Sequence, residues 1–184
     1  MNTKLPIKIS PCPILEAIVE LRFDSEFEAG AVFGVIYQKV KDEYSHIDKL
    51  PILQLPENMR LSDLNLLHLP WYKLTKDNIS LNIGPKIFSV SCAKEYIGWE
   101  QFALIVKEVF NIVLETGIVK NLTRLGMRYI NFFEANIFDN TIVQISKNGE
   151  SFPSIEKLLK VKVPYDQGCS TLLITNNAQI IDKE

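Results

Sequence analysis

Histidine and cysteine are scarce in this chain, with two and three copies in 184 residues. His46 and His68 have no cysteine or acid at ligand spacing, which argues against a zinc centre. Cys12, Cys92 and Cys169 are odd in number and far apart, fitting neither a disulfide framework nor paired zinc ligands; reduced, mostly buried thiols are expected. The eight glycines are scattered, and both the Gly-x-x-x-x-Gly-Lys phosphate loop and the Gly-x-Gly-x-x-Gly turn are missing. So is the Gly-x-Ser-x-Gly nucleophile elbow, and no cysteine has a histidine close in sequence, which disfavours hydrolase triads.

No apolar run approaches the length of a membrane span, and the opening MNTKLPIKIS lacks the apolar stretch of a secretion signal, so a cytoplasmic address with no membrane partner is expected. A net charge of −2 supplies no general attraction to phosphate backbones, leaving no strong nucleic-acid signal. Hydrophobic residues at 47% and charged residues at 23% lie within the globular range, so the chain is expected to fold without a ligand, as a single domain over 1–184.

Periodicity supplies the elements. Over Ile14–Phe23, Leu15, Ala17, Val19, Leu21 and Phe23 alternate with a row containing Glu16, Glu20 and Arg22, which predicts a strand with one core face and one charged face. From Ser25, a candidate N-cap, to about Ser45, Phe33, Ile36, Tyr37, Val40 and Tyr44 recur at helical spacing. The Pro-bearing stretch between Leu50 and Pro70 reads as a loop with one short strand. Trp71–Thr75, Ile79–Ile83 and Lys86–Cys92, separated by Lys76-Asp77-Asn78 and Gly84-Pro85, predict an antiparallel meander.

Gly98–Glu115 carries a wide apolar stripe, with Gly117 placed for a left-handed C-terminal cap. Leu122–Phe133 then reads as a strand with Arg124, Gly126 and Arg128 on one side and Leu125, Met127 and Tyr129 on the other. The tail suggests a strand at Thr141–Ser146, a short helix around Ile155–Lys160, and a hairpin over Cys169–Ile181 turning near Asn176-Asn177. The fold class is α+β: a mostly antiparallel sheet with two main helices packed on one face.

The candidate chemistry lies with Glu16, Glu20 and Arg22 on the first strand and Arg124 and Arg128 on the later one. If these rows meet across strands they form a mutually neutralised sheet face. If they line a groove, the guanidinium forks can grip phosphate or carboxylate while the acids position water or Mg²⁺. Tyr96 and Trp99 bracket the start of the second helix, where free N–H groups can take an anion and rings can stack a base; the same spacing also suits hydrophobic docking of that helix.

Three blocks occur in order: Pro13-Ile14-Leu15-Glu16-Ala17-Ile18-Val19-Glu20-Leu21-Arg22-Phe23, Tyr96-Ile97-Gly98-Trp99, and Arg124-Leu125-Gly126-Met127-Arg128-Tyr129-Ile130-Asn131. Through them the chain resembles a sporadically distributed, uncharacterised prokaryotic protein family. That resemblance implies no established activity, and because members are longer, with further strands, it implies a short version or a fragment. Glu20-Leu21-Arg22 with arginines on later strands is also distantly similar to the lining of triphosphate tunnel enzymes. Here, however, Ala17, Ile18 and Val19 separate the acids, and arginine stands where those enzymes have lysine. The expected function is a binding or interaction module acting through the Arg/Glu face, with another protein or a second copy as partner. The alternative is an enzyme or sensor for a phosphate-bearing small molecule, a nucleotide or polyphosphate. No cofactor is indicated.

Overall fold

The computed structural model describes residues 9–140, 146–151 and 156–176. The chain groups into two compact units, residues 1–132 and 133–184.

The first unit is an antiparallel sheet of six strands with helices on one face. Its elements in chain order are β1 (Ile14–Asp24), α1 (Ala29–Val40), β2 (His46–Lys49), α2 (Glu57–Ser62), β3 (Tyr72–Lys76), β4 (Ile79–Gly84), β5 (Ile87–Ala93), α3 (Trp99–Glu115) and β6 (Asn121–Asn131). The spatial order is β2-β3-β4-β5-β1-β6. The predicted α+β class and antiparallel meander are both present. Period-2 alternation decides the faces: Ala17, Val19, Leu21 and Phe23 are buried, while Glu16, Ile18, Glu20 and Arg22 between them are half-buried. Val32, Ile36 and Val40 of α1 and Phe102, Val106, Val109 and Val113 of α3 close the core from the helix side. Burying each large side chain is worth roughly 1.5–3 kcal/mol, so these rows carry most of the unit's stability. Gly117, at φ +73°, takes the left-handed turn expected after α3.

Several local expectations are corrected. Helix α1 starts at Ala29, not after Ser25, because the Ser25 hydroxyl accepts the Phe27 N–H in a turn instead of capping a helix. Val32 joins the fully buried row of α1, while Phe33 packs partly buried at its margin and stacks on Tyr72, ring centroids 3.9 Å apart. The Leu50–Pro70 stretch contains a 3₁₀ turn at Pro51–Gln54 and the short helix α2, and the strand beside it, His46–Lys49, precedes the stretch. Of the three thiols only Cys92 is buried; Cys12 and Cys169 are exposed. Among the described residues no helix is long and apolar enough to cross a membrane.

The second unit contains a small hairpin, β7 (Ser146–Lys147) and β8 (Glu150–Ser151), turning through Asn148 and Gly149 at positive φ, and a ribbon of β9 (Leu158–Tyr165) and β10 (Gly168–Thr175). The helix expected around Ile155–Lys160 gives way to β9 because Val161, Val163 and Tyr165 favour an extended chain and Pro164 excludes a helix interior. The ribbon turns between Tyr165 and Gly168, and the Asn176 side chain accepts the Lys157 N–H at 2.6 Å; the turn expected at Asn176-Asn177 runs into residues outside those described. Of the strand expected at Thr141–Ser146, residues 141–145 lie outside the described residues, as does the expected hairpin beyond 176.

Candidate functional site

Strands β1 and β6 lie side by side, so the two charged rows read from the sequence adjoin. On the face opposite the helices, Arg22 stands directly across from Arg124, Glu20 from Gly126, Ile18 from Arg128 and Glu16 from Ile130. Like charges directly opposite are unfavourable, and Glu20 relieves the clash. Its Oε1 accepts a hydrogen bond from Arg22 Nε at 2.7 Å and lies 3.5 Å from Arg124 Nη1. The Arg124 guanidinium lies over Gly126, 3.6–3.8 Å from where a Cβ would stand, an ordinary contact distance. Among the described residues no carboxylate lies within ion-pair distance of Arg128, which is exposed. Glu16 takes no part in the cluster.

This arrangement makes a quantitative expectation. Glu20→Gln leaves two arginines face to face and should lower stability by about 1 kcal/mol, a value kept small by partial exposure. In an Arg124→Gln background the same change should cost clearly less. Urea denaturation of the four proteins in this cycle measures the coupling, and equal costs in both backgrounds would show that Glu20 does not mediate between the arginines.

The strip continues across the sheet on short polar side chains. Glu20 pairs with Ser89 and Ser89 with Asn82; Ile18 pairs with Ser91 and Ser91 with Ser80. Asn82 Nδ2 donates to Ser89 Oγ at 3.3 Å, and all three serines are buried. Beside the charged rows this face therefore carries short, buried polar side chains. Among the described residues no group of three or more histidines, cysteines or acids is placed to hold a metal ion.

Tyr96 and Trp99 are not brought to the arginines. Tyr96 meets the hydroxyl of Tyr129 at 3.3 Å, and Tyr129 is in register with the buried Ala17, so this pair lies on the helix side of the sheet. Tyr96 packs edge-on against Phe102 and Tyr129, and Trp99 packs edge-on against Phe102. Burial, then the Tyr129 hydroxyl, pushes the Tyr96 phenol well above its ordinary pKa. Tyr96 therefore ties the start of α3 to β6, while Trp99 keeps about half of its surface exposed. The hydrophobic-docking reading describes Tyr96.

Sequence reasoning missed the outer side of β6. This strand of 11 residues is an edge of the sheet, and among the described residues no strand pairs with its outer side. Leu122, Leu125 and Met127 are in register with the buried Phe23, Leu21 and Val19, yet they are 53%, 64% and 57% exposed. The apolar row continues the core face beyond the cover of the helices. The alternation of Leu125, Met127 and Tyr129 was visible as a pattern, but it put Leu122 on the arginine side; a register shift between Arg22 and Phe23 brings Leu122 opposite Phe23, and exposure depends on where the helices stop. The site is thus a long open strand edge with an apolar row on one side and a basic row on the other.

Fold and site together define an α+β domain whose sheet ends in an amphipathic, unpaired strand. No protein-family model matches the sequence, and no curated protein or solved structure matches it.

Proposed function

We propose that the protein is a binding module that engages another polypeptide through β6, with the Arg/Glu face of β1 and β6 contributing recognition. The observation that carries this reading is the exposure of Leu122, Leu125 and Met127 along a strand whose outer edge is free among the described residues. Natural proteins usually protect such an edge with short strands, bulges or covering elements, and an exposed edge is a ready template for main-chain pairing with an extended segment. Capture of a small anion is less well supported, because Arg22 is already tied to Glu20 while Arg124 and Arg128 stand on an exposed strand rather than in an enclosed pocket.

The test is selection from a displayed library of random peptides of about twelve residues, with Leu125→Asp/Met127→Asp as the counter-target. Both positions are more than half exposed, so the double variant should keep its fold. Selected peptides are expected to bind the natural chain and lose at least about tenfold in affinity for the variant, since apolar contacts are replaced by desolvated charge. A selection yielding only peptides indifferent to the substitutions would overturn the assignment of β6.

A further inference from the structure

We infer that the segment bound at β6 is an acidic extended peptide, added antiparallel as a seventh strand, with the pattern acid–apolar–aromatic–apolar–acid. This rests on the reading of β6 as the recognition edge and specifies the chemistry of its partner.

In an antiparallel seventh strand, one row of partner side chains faces Arg124, Gly126 and Arg128, and the intervening row faces Leu125 and Met127. The residues opposite the two arginines are four apart. Arg128 has no acid partner among the described residues, and Arg124 holds Glu20 only at 3.5 Å, so both guanidinium groups have donors available to carboxylates. Between them Gly126 presents no side chain. The Arg124 guanidinium lies over that glycine, 3.6–3.8 Å from where a Cβ would stand, so a flat aromatic ring at the partner position facing it meets a guanidinium plane on which it can stack. The two remaining positions lie on the exposed apolar row and call for apolar side chains.

A strand of similar acid–apolar–acid composition, in another register and without the central aromatic, already pairs with the inner side of β6. Glu16-Ala17-Ile18-Val19-Glu20 of β1 is an acid–apolar–apolar–apolar–acid strand, paired so that Ala17 stands opposite Tyr129 and Val19 opposite Met127. Its register is offset by two residues, placing Glu20 opposite Gly126 and leaving Arg22 opposite Arg124. An outer strand in the direct register would supply the carboxylates that β1 does not place opposite the arginines.

A second copy of the chain fits this edge poorly. Residues Asn121–Asn131 contain two arginines and no acid. Antiparallel self-pairing centred on Gly126 would put Arg124 against Arg128 of the second copy twice, a like-charge arrangement that opposes association.

The experiment uses the full chain and four synthetic nine-residue peptides, measured by calorimetry in dilute salt. The first has the core Glu-Val-Tyr-Val-Glu, and the second carries lysines in place of both acids. The third and fourth are the acidic peptide N-methylated at its odd or at its even positions. The acidic peptide is expected to bind at least about tenfold tighter than the lysine peptide, and Arg124→Glu/Arg128→Glu is expected to reverse that order. Only one of the two N-methylated peptides should bind, because alternate residues of an antiparallel strand point their N–H groups toward the neighbour. Binding by both, or no preference for the acidic peptide, overturns the inference. A chain that sediments as a dimer at about 100 μM, and as a monomer with Leu125→Asp/Met127→Asp, would assign the edge to a second copy and overturn it as well. If library peptides bind in a β6-dependent way but lack paired acids, the binding-module reading stands and only this inference falls.

Discussion

Phe88→Ala is expected to destabilise the protein by about 3–5 kcal/mol, the range for a large aromatic removed from a well-packed core. Phe88 is fully buried near the start of β5, in register with Leu21 on one side and Ile83 on the other. Its ring also meets Phe110 of α3 edge-on, centroids 5.8 Å apart, so the substitution removes packing from both the sheet and the helix layer. The neighbours belong to two hydrogen-bonded strands and cannot collapse into the space, which places the cost toward the upper end. Urea denaturation measures it as a fall in midpoint at unchanged slope. Leu125→Ala, in the same register row but 64% exposed, is expected to change stability by no more than about 0.5 kcal/mol. Costs of similar size at the two positions would mean that the sheet edge is covered.

The second large effect concerns a residue with no side chain. A Cβ at Gly84 would lie 2.6 Å from the Leu69 carbonyl oxygen, 2.8 Å from Ile87 Cγ2 and 3.1 Å from the Pro70 Cα. Two of these three contacts are backbone, so rotamer changes cannot relieve them. Gly84→Ala is therefore expected to cost about 1–3 kcal/mol through overpacking. The strain would reach the neighbouring Trp71, whose N–H donates to the Ile83 carbonyl at 2.8 Å and whose ring carries the Arg60 guanidinium at 4.0 Å. Trp71 is buried, so its fluorescence should report the displacement. The same exchange at Gly34, inside α1 with nothing within 4 Å of the added carbon, should instead stabilise by roughly 0.5–1 kcal/mol. Opposite signs for one chemical change would locate the effect in the contact between residues 69–70 and β4.

Much of the first unit was legible because its patterns were long and regular. The alternation over Ile14–Phe23 and the stripe over Gly98–Glu115 each outlast the few residues that turn chemistry or a cap can perturb, and both elements formed as expected. The turns at Asp77 and at Gly84-Pro85 punctuated β3, β4 and β5 clearly. Reading failed where local signals competed. Ser25 has the chemistry of a helix cap but spends its hydroxyl on a turn. The ribbon of β9 and β10 shows the same ambiguity, since a run of leucines and lysines near residue 158 suits helix or strand until Val161, Val163 and Pro164 decide it.

For the candidate site, the residue types, their alternation and the grouping of Arg124 with Arg128 on one strand face came from the sequence, because side-chain period along a strand is a local property. Three features came only from tertiary structure. Strand pairing placed Arg22 across from Arg124 with Glu20 between them; strand order put β6 at an edge; and the reach of the helices left Leu122, Leu125 and Met127 exposed while Phe23, Leu21 and Val19 beside them were buried. Periodicity determines which residues share a face, whereas register and cover depend on contacts between segments about a hundred residues apart, which no local pattern encodes.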